Sequence, residues 1–215
     1  FYQKAIQYAD KVINSGKYSL LDKFIDNWSV DKKHGPEHIF SIEHDRTING
    51  NVSGHCTFAT NWDNAEPVLL ATSDKYYEQT DPRDQRRDGS WAKRLYNPNT
   101  GEDFEFTIPR FRKYIDSLNY ANPSSAGNSA GQSVNTTIIR YAEVLLLYAE
   151  AKFLVDNDAD KSGLKALNEV RRRAQIPELA AMTYQDIKDE RRAEIFCEQE
   201  RYFDLVRWGD APTML

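Results

Sequence analysis

The residues of this chain best suited to hold a ligand are five aromatic side chains, Trp62, Tyr76, Tyr77, Trp91 and Tyr96. They are interleaved with Asn61, Asp63, Asn64, Arg94 and Asn97. A sugar ring offers flat C–H faces between rims of hydroxyls, so aromatic rings that stack on the faces and polar groups that bond the rims are the matching set. Trp62 and Trp91 lead because each lies among turn-formers and charges, where burial is less expected. Packing within the loops is the competing reading of both.

Three other constellations resemble reactive chemistry and are set aside on physical grounds. His34-Gly35-Pro36-Glu37-His38 fits the H-x-x-E-H metalloprotease spacing, which works by placing two histidines one helical turn apart beside a glutamate base. Gly35 and Pro36 oppose a helix through both histidines, and Ile39-Phe40 read as strand, so no metal is expected. Glu190, Glu194 and Glu198 imitate a glycosidase carboxylate pair, but a general acid must keep its proton near neutral pH. Arg191 and Arg201 favour the ionised form instead. Arg171, Arg172 and Arg173 are read as the solvated C-terminal end of a helix, where cations complement the dipole.

The elements that position these residues follow from periodicity. Residues 2 to 14 form an amphipathic helix stopped by Ser15-Gly16, and Tyr18 to Leu21 return along it. Ile39, Phe40 and Ile42 read as a short buried strand. From Asp45 to Tyr114 glycines and prolines punctuate an irregular segment, interrupted by one helix at about 66 to 79. Phe104, Phe106 and Ile108 alternate like a strand entering Pro109, and 122 to 135, rich in serine and glycine, reads as a flexible loop.

Helices dominate from Thr137 onward. Ile138, Tyr141, Ala142, Leu145, Tyr148 and Ala149 recur at helical period, with small residues that let a second helix approach. In 186–210, Ile187, Ile195, Tyr202, Phe203, Leu205 and Val206 share one broad face of a helix. Glu190, Arg191, Glu194, Glu198 and Arg201 form a stripe beside it. Arg191 reaches Glu194 and Glu198 reaches Arg201 at helical spacing, pairs worth a few tenths of a kcal/mol each when exposed. Lys4-Ala5-Ile6-Gln7 and Lys165-Ala166-Leu167-Asn168 hold similar places in their helices, a faint internal repeat.

Composition bounds the function. The formal net charge is −5 and basic residues are not gathered on one segment, which argues against nucleic acid. No apolar run approaches the roughly 20 residues that cross a bilayer. Cys56 and Cys197 make neither a disulfide framework nor a metal set. They are read as unpaired thiols, with a bridge between them as the alternative.

Several phrases carry a family resemblance. They are A-I-Q-Y-A-D-K-V-I-N-S-G-K-Y-S-L from Ala5, E-H-I-F-S-I from Glu37, D-P-R from Asp81 and R-Y-A-E-V-L-L-L-Y-A-E-A from Arg140. A-L-N-E-V-R-R-R-A from Ala166 and E-R-R-A-E-I-F-C-E-Q-E-R-Y-F-D-L-V-R-W-G from Glu190 to Gly209 complete the series. The chain resembles the SusD/RagB-like glycan-binding lipoproteins of outer membranes. That family usually carries a glycine after the position of Glu198, where this chain has Gln199. Its mature chain is longer, beginning with a lipid-bearing cysteine and further helices, so the sequence reads as a fragment.

The resemblance implies a mainly α fold of tetratricopeptide-like hairpins with a long loop insertion and a few short strands. Residues 1–215 then form one domain fragment: hairpin and strand in 1–44, the insertion in 45–136 and C-terminal hairpins in 137–215. It implies a non-enzymatic protein without cofactor or metal, binding oligosaccharide or polysaccharide at the cell surface. It further implies delivery to a SusC-like TonB-dependent outer-membrane transporter, with no nucleic acid and with membrane contact only through a lipid anchor. A helical-repeat scaffold for protein partners is the alternative; the long insertion with its tryptophans separates the two, since plain repeats have short connections.

Overall fold

The computed structural model describes residues 1–45, 47–48, 74–97, 100–114 and 133–214. Among these lie eight α-helices: α1 (Tyr2–Ile13), α2 (Asp74–Gln79), α3 (Gln85–Ser90), α4 (Tyr141–Asp156), α5 (Ser162–Arg173), α6 (Tyr184–Glu194), α7 (Arg201–Trp208) and α8 (Ala211–Met214). Four strands, β1 (His38–Ile42), β2 (Trp91–Asn97), β3 (Glu102–Phe111) and β4 (Thr136–Arg140), form two antiparallel pairs, β1 with β4 and β2 with β3. The segments Phe24–Trp28 and Val30–Lys32 are short 3-10 turns.

Helix α4 is the centre because its apolar residues are spread around its circumference rather than gathered on one face, and such a helix is stable only when enclosed. Its Tyr141, Ala142, Leu145, Leu146 and Ala149 are buried with Leu167 and Val170 of α5, Ala9 of α1 and Ile187 of α6. Each leucine, valine and isoleucine among them contributes roughly 1.5–3 kcal/mol on burial. Helices α1 and α5 both pack on α4, which is where the faint repeat places its two matching segments. The turn between α4 and α5 is tight. Asn157 and Asp158 adopt left-handed φ of 57° and 53°, and the Asp158 carboxylate accepts from the Gly163 and Leu164 amides at 2.7 and 2.8 Å. Two amides left open at the start of α5 are thereby satisfied. At α6 the same task falls to a capping box between Thr183 and Asp186.

The structure departs from periodicity in four places. Thr136–Arg140 is strand rather than the first turn of the helix; Tyr141 opens α4, and Ile138 and Ile139 stand 40% exposed on the ribbon. Pairing with β1 satisfies this backbone before the helix begins. Phe40 and Ile42 are exposed too, so β1 is not a buried strand; Ile39 is the residue that turns toward the core.

The insertion is also more regular than its glycines and prolines suggest, holding α3 and the β2–β3 hairpin. Pro109 lies inside β3, in the stretch where the register shifts between Ala92 and Arg94; a bulge tolerates a missing N–H. Last, the long C-terminal helix is broken. α6 ends at Glu194, Cys197 and Gln199 take left-handed φ of 59° and 71°, and α7 starts at Arg201. The expected common apolar face splits: Ile187, Ile195 and Leu205 are buried, while Tyr202, Phe203 and Val206 are 59%, 63% and 53% exposed.

Of the predicted helix at 66 to 79, Asp74–Gln79 is seen and the rest lies outside the described residues, as does most of the 122–135 loop. Among the described residues no helix is long and apolar enough to cross a membrane.

Candidate functional site

The β2–β3 hairpin has two unlike faces, set by strand alternation. Ala92 and Leu95 turn inward with Phe106 and the half-buried Phe104, Leu95 lying opposite Phe104. Arg94 and Tyr96 point the other way, opposite Glu105 and Asp103. Arg94 Nη2 donates to Asp103 Oδ2 at 2.9 Å across the strands, and Tyr96 is 48% exposed beside that pair. This outer face combines one open phenol ring with a guanidinium and two carboxylates. It has the stacking group and the rim-bonding groups that a sugar requires.

Trp91 is not part of it. Its indole is 2% exposed and forms a three-ring cluster with Phe111 of β3 and Phe196 of the turn after α6, each of those ring centroids 4.5 Å from it and 5.4 Å from each other. An indole this buried offers no face for a sugar to stack on, and the tryptophan instead clamps the hairpin to the helices. Sequence context misled because the charges flanking Trp91 are themselves buried or face outward from a strand.

Tyr77 of α2 is half-buried. Its hydroxyl donates to Asp88 Oδ1 at 2.7 Å, and the Arg87 guanidinium covers its ring at 4.0 Å. Burial first, and then that hydrogen bond, push its phenol up to about 12. Helix α2 rests against β3, which brings Tyr77 to the hairpin that carries Tyr96. Trp62, Asn61, Asp63 and Asn64 lie outside the described residues, as do the side chains of Tyr76 and Asn97.

A buried ionic cluster fixes the insertion to the scaffold. Arg140, at the end of β4, donates to Glu37, Glu194 and Glu198 at 2.9, 2.6 and 2.6 Å. Arg173 of α5 reaches Glu37 at 3.1 Å and Glu194. From the insertion, Arg86 reaches Asp84 at 2.8 Å, Glu190 and, at 3.3 Å, Glu194; Lys113 reaches Glu198 at 2.7 Å. Lys113 also donates to the Glu194 carbonyl at 3.0 Å and lies over the rings of Phe24 and Trp28. Glu194 and Glu37 are wholly buried. Burial alone would raise the Glu194 carboxyl, but Arg173, Arg140 and Arg86 outweigh it and hold it well below the usual carboxylate range. Arg140 and Lys113 do the same for Glu198.

This corrects the expected charge stripe. Arg191 does not pair along its helix with Glu194; it reaches Asp204 at 2.7 Å and Glu143 at 3.2 Å, in a second buried group. Arg173 is not a solvated helix end, and Arg171 bonds Glu190 at 2.7 Å; Arg172 alone of the three is mostly exposed, paired with Glu178. Glu37 of the H-x-x-E-H pattern is committed to Arg140, Arg173 and the Leu21 amide, and His38 Nε2 lies 3.2 Å from the Asn27 carbonyl. Among the described residues no group of three metal-ligating side chains converges. Cys197 is a free thiol, pushed up to about 12 by burial; Cys56 lies outside the described residues.

The family model for the SusD family matches residues 8–214. The chain belongs to the SusD family. A SusD-like protein of Bacteroides ovatus is 43% identical over 77 residues, covering 35% of this chain and 14% of its own. The surface glycan-binding protein A of Bacteroides thetaiotaomicron superposes with a TM-score of 0.77 at 23% identity, over 100% of this chain and 51% of its own. The structure named as that protein in complex with laminarihexaose superposes at 0.76 and 22% identity, over 98% and 50% of the two chains. This SusD-family chain thus spans about half the length of the solved relatives it superposes on.

The tetratricopeptide-like SusD fold accounts for the phrases noted in the sequence. Glu37, Arg140, Arg173, Glu190, Glu194 and Glu198 each belong to one, and in space they meet in a single cluster. Arg86, Asp84 and Lys113 were missed, because a charged residue in an irregular segment gives no sign of burial. The Asp81-Pro82-Arg83 phrase is an exposed Asp–Arg fork at 2.7 Å; its buried counterpart is the next one, Asp84-Gln85-Arg86.

Proposed function

We propose that this chain binds oligosaccharide reversibly and does not cleave it. The observation that carries the reading is the outer face of the β2–β3 hairpin, where Tyr96 stands open beside the Arg94–Asp103 pair. Family membership supports it, as does a superposable relative named in complex with laminarihexaose. A non-enzymatic role is supported by the fate of the glutamates. Glu190, Glu194 and Glu198 are engaged by arginines and lysine, and Glu194 and Glu198 are held ionised, so neither can lend a proton to a leaving group. Tyr77 and the exposed Tyr96 are the described members of the binding set, with Trp62 and Tyr76 as its further candidates.

In the whole protein the captured glycan passes to a SusC-like TonB-dependent transporter, with the protein held at the outer-membrane surface by a lipid anchor. Weak stacking suits this role, because a sugar bound through one or two rings is released readily to the next site. The alternative, a protein-binding scaffold without glycan affinity, draws on the exposed Tyr202, Phe203 and Val206 of α7. Incubation with a glycan panel separates the readings. Binding without new reducing ends supports capture, and Tyr96→Ala then weakens it about three- to tenfold without lowering the melting temperature. Release of reducing ends contradicts capture, and silence across the panel favours the scaffold.

A further inference from the structure

We propose that a cleft between the helical scaffold and the start of α3 is a second sugar site, distinct from the outer face of the hairpin and selective for neutral glycans; this rests on the glycan-binding reading. The cleft, of about 340 Å³, lies between the turn Ser19–Asp22, Gln85 at the start of α3, and the C-terminal end of α5 with Gln175 beyond it. That volume falls within the range of small-molecule sites.

Its walls are held from behind. The Ser19 amide donates to the Pro36 carbonyl at 3.1 Å, the Leu21 amide to Glu37 at 2.8 Å, and the Gln85 amide to the Ala174 carbonyl at 3.0 Å. Arg173, on the cleft wall, is gripped by Glu37 and Glu194. A wall fixed in this way loses little freedom when a ligand binds.

The polar groups facing the cleft are unspent. Glu169 is half-buried, yet only the charges of Arg172 and Lys165 reach it; no described residue donates a hydrogen bond to it, and burial pushes its carboxyl up. A half-buried carboxylate without a donor is costly unless something supplies one. Asp22, Gln85 and Gln175 add a second carboxylate and two amides, and the half-buried Leu20 and Leu21 add C–H contact. Adjacent sugar hydroxyls donate and accept in pairs, which is what carboxylates beside amides receive.

Charge sets the selectivity. Arg173 is neutralised by its two glutamates and Arg172 by Glu178 at 2.8 Å; Glu169 and Asp22 then outnumber Lys165, the remaining cation whose charge reaches Glu169, and leave the cleft net negative. A uronic or sulfated sugar is repelled, and a neutral one is not.

The test is NMR titration of the chain with cellohexaose and maltohexaose as neutral probes and hexagalacturonate as the anionic one. We expect a neutral probe at about 5 mM to move the Gln85 and Gln175 side-chain amide signals. Hexagalacturonate leaves them in place. Glu169→Ala weakens the neutral probe about tenfold, the effect of one charge-assisted hydrogen bond. Glu169 has no hydrogen-bond partner to lose, and Gln175→Gly, which keeps the φ of +63°, is the second variant if the first unfolds. Tyr96→Ala leaves the cleft signals unchanged. Neutral probes that move only hairpin signals, with Glu169→Ala binding as wild type, overturn the cleft and spare the glycan reading. Neutral probes that move neither overturn the cleft, and the glycan reading is then decided by the wider panel. An equal response to hexagalacturonate overturns the selectivity.

Discussion

Glu194→Gln removes one charge and almost no volume from the centre of the ionic cluster. The carboxylate is 0% exposed; Oε1 accepts from Arg140 at 2.6 Å and from Arg173, and Oε2 from Arg86 at 3.3 Å. Five cations, Arg86, Lys113, Arg140, Arg171 and Arg173, here meet five anions, Glu37, Asp84, Glu190, Glu194 and Glu198. The glutamine turns an NH₂ toward guanidinium groups that cannot accept a hydrogen bond, and one buried positive charge is left uncompensated. Breaking a buried pair in this way costs about 3–5 kcal/mol. For a chain of this size the melting temperature falls by roughly 6–20 °C. Circular dichroism during heating, with urea denaturation as the cross-check, measures it. Adding Arg173→Met to Glu194→Gln removes the surplus charge, so the double variant recovers part of the loss. A single variant within about 0.5 kcal/mol of wild type would refute the reasoning, because that is the range of a solvated surface site.

Three further outcomes follow from the same geometry. Glu194 and Glu198 have folded-state pKa values below their ordinary 4.5, so their stabilisation is complete above about pH 4.5 and fades as pH falls through the depressed values. Melting temperatures recorded from pH 7 to about pH 3 should therefore decline below pH 4.5, and a flat profile contradicts the burial of these charges. Trp91→Ala should destabilise by about 3–5 kcal/mol in urea denaturation, since the buried indole packs against both Phe111 and Phe196; a stable variant with reduced glycan affinity would reverse the assignment. Gln199→Gly should raise the unfolding free energy measured in urea by up to about 1 kcal/mol, because Gln199 holds a φ of 71° while its side chain is exposed. A loss of stability would mean that the Gln199 side chain contributes more than its backbone costs.

What the sequence determined by itself was the helical scaffold. The apolar period through Tyr141, Leu145 and Ala149, the Ser15-Gly16 stop of the first helix, and the phrases from Ala5 to Gly209 are local patterns, and local patterns survive without knowledge of the fold. The family glycine is an instructive case: its usual place after Glu198 marks a residue that must turn left-handed, and Gln199 does so here at a steric cost.

Only the tertiary structure decided where charges and aromatic rings end up. A glutamate reads alike whether it faces water or three arginines, and Glu194 left its helical stripe because Arg86, Arg140 and Arg173 arrive from segments 108, 54 and 21 residues away. The helix breaks at the same point, which carries Glu198 to Arg140 and Phe196 to Trp91. Tryptophan 91 and tyrosine 96 sit five residues apart in similar polar company, yet one is enclosed and the other open. Strand alternation, a bulge and a ring from a distant turn make that difference, and none of them is written beside either residue.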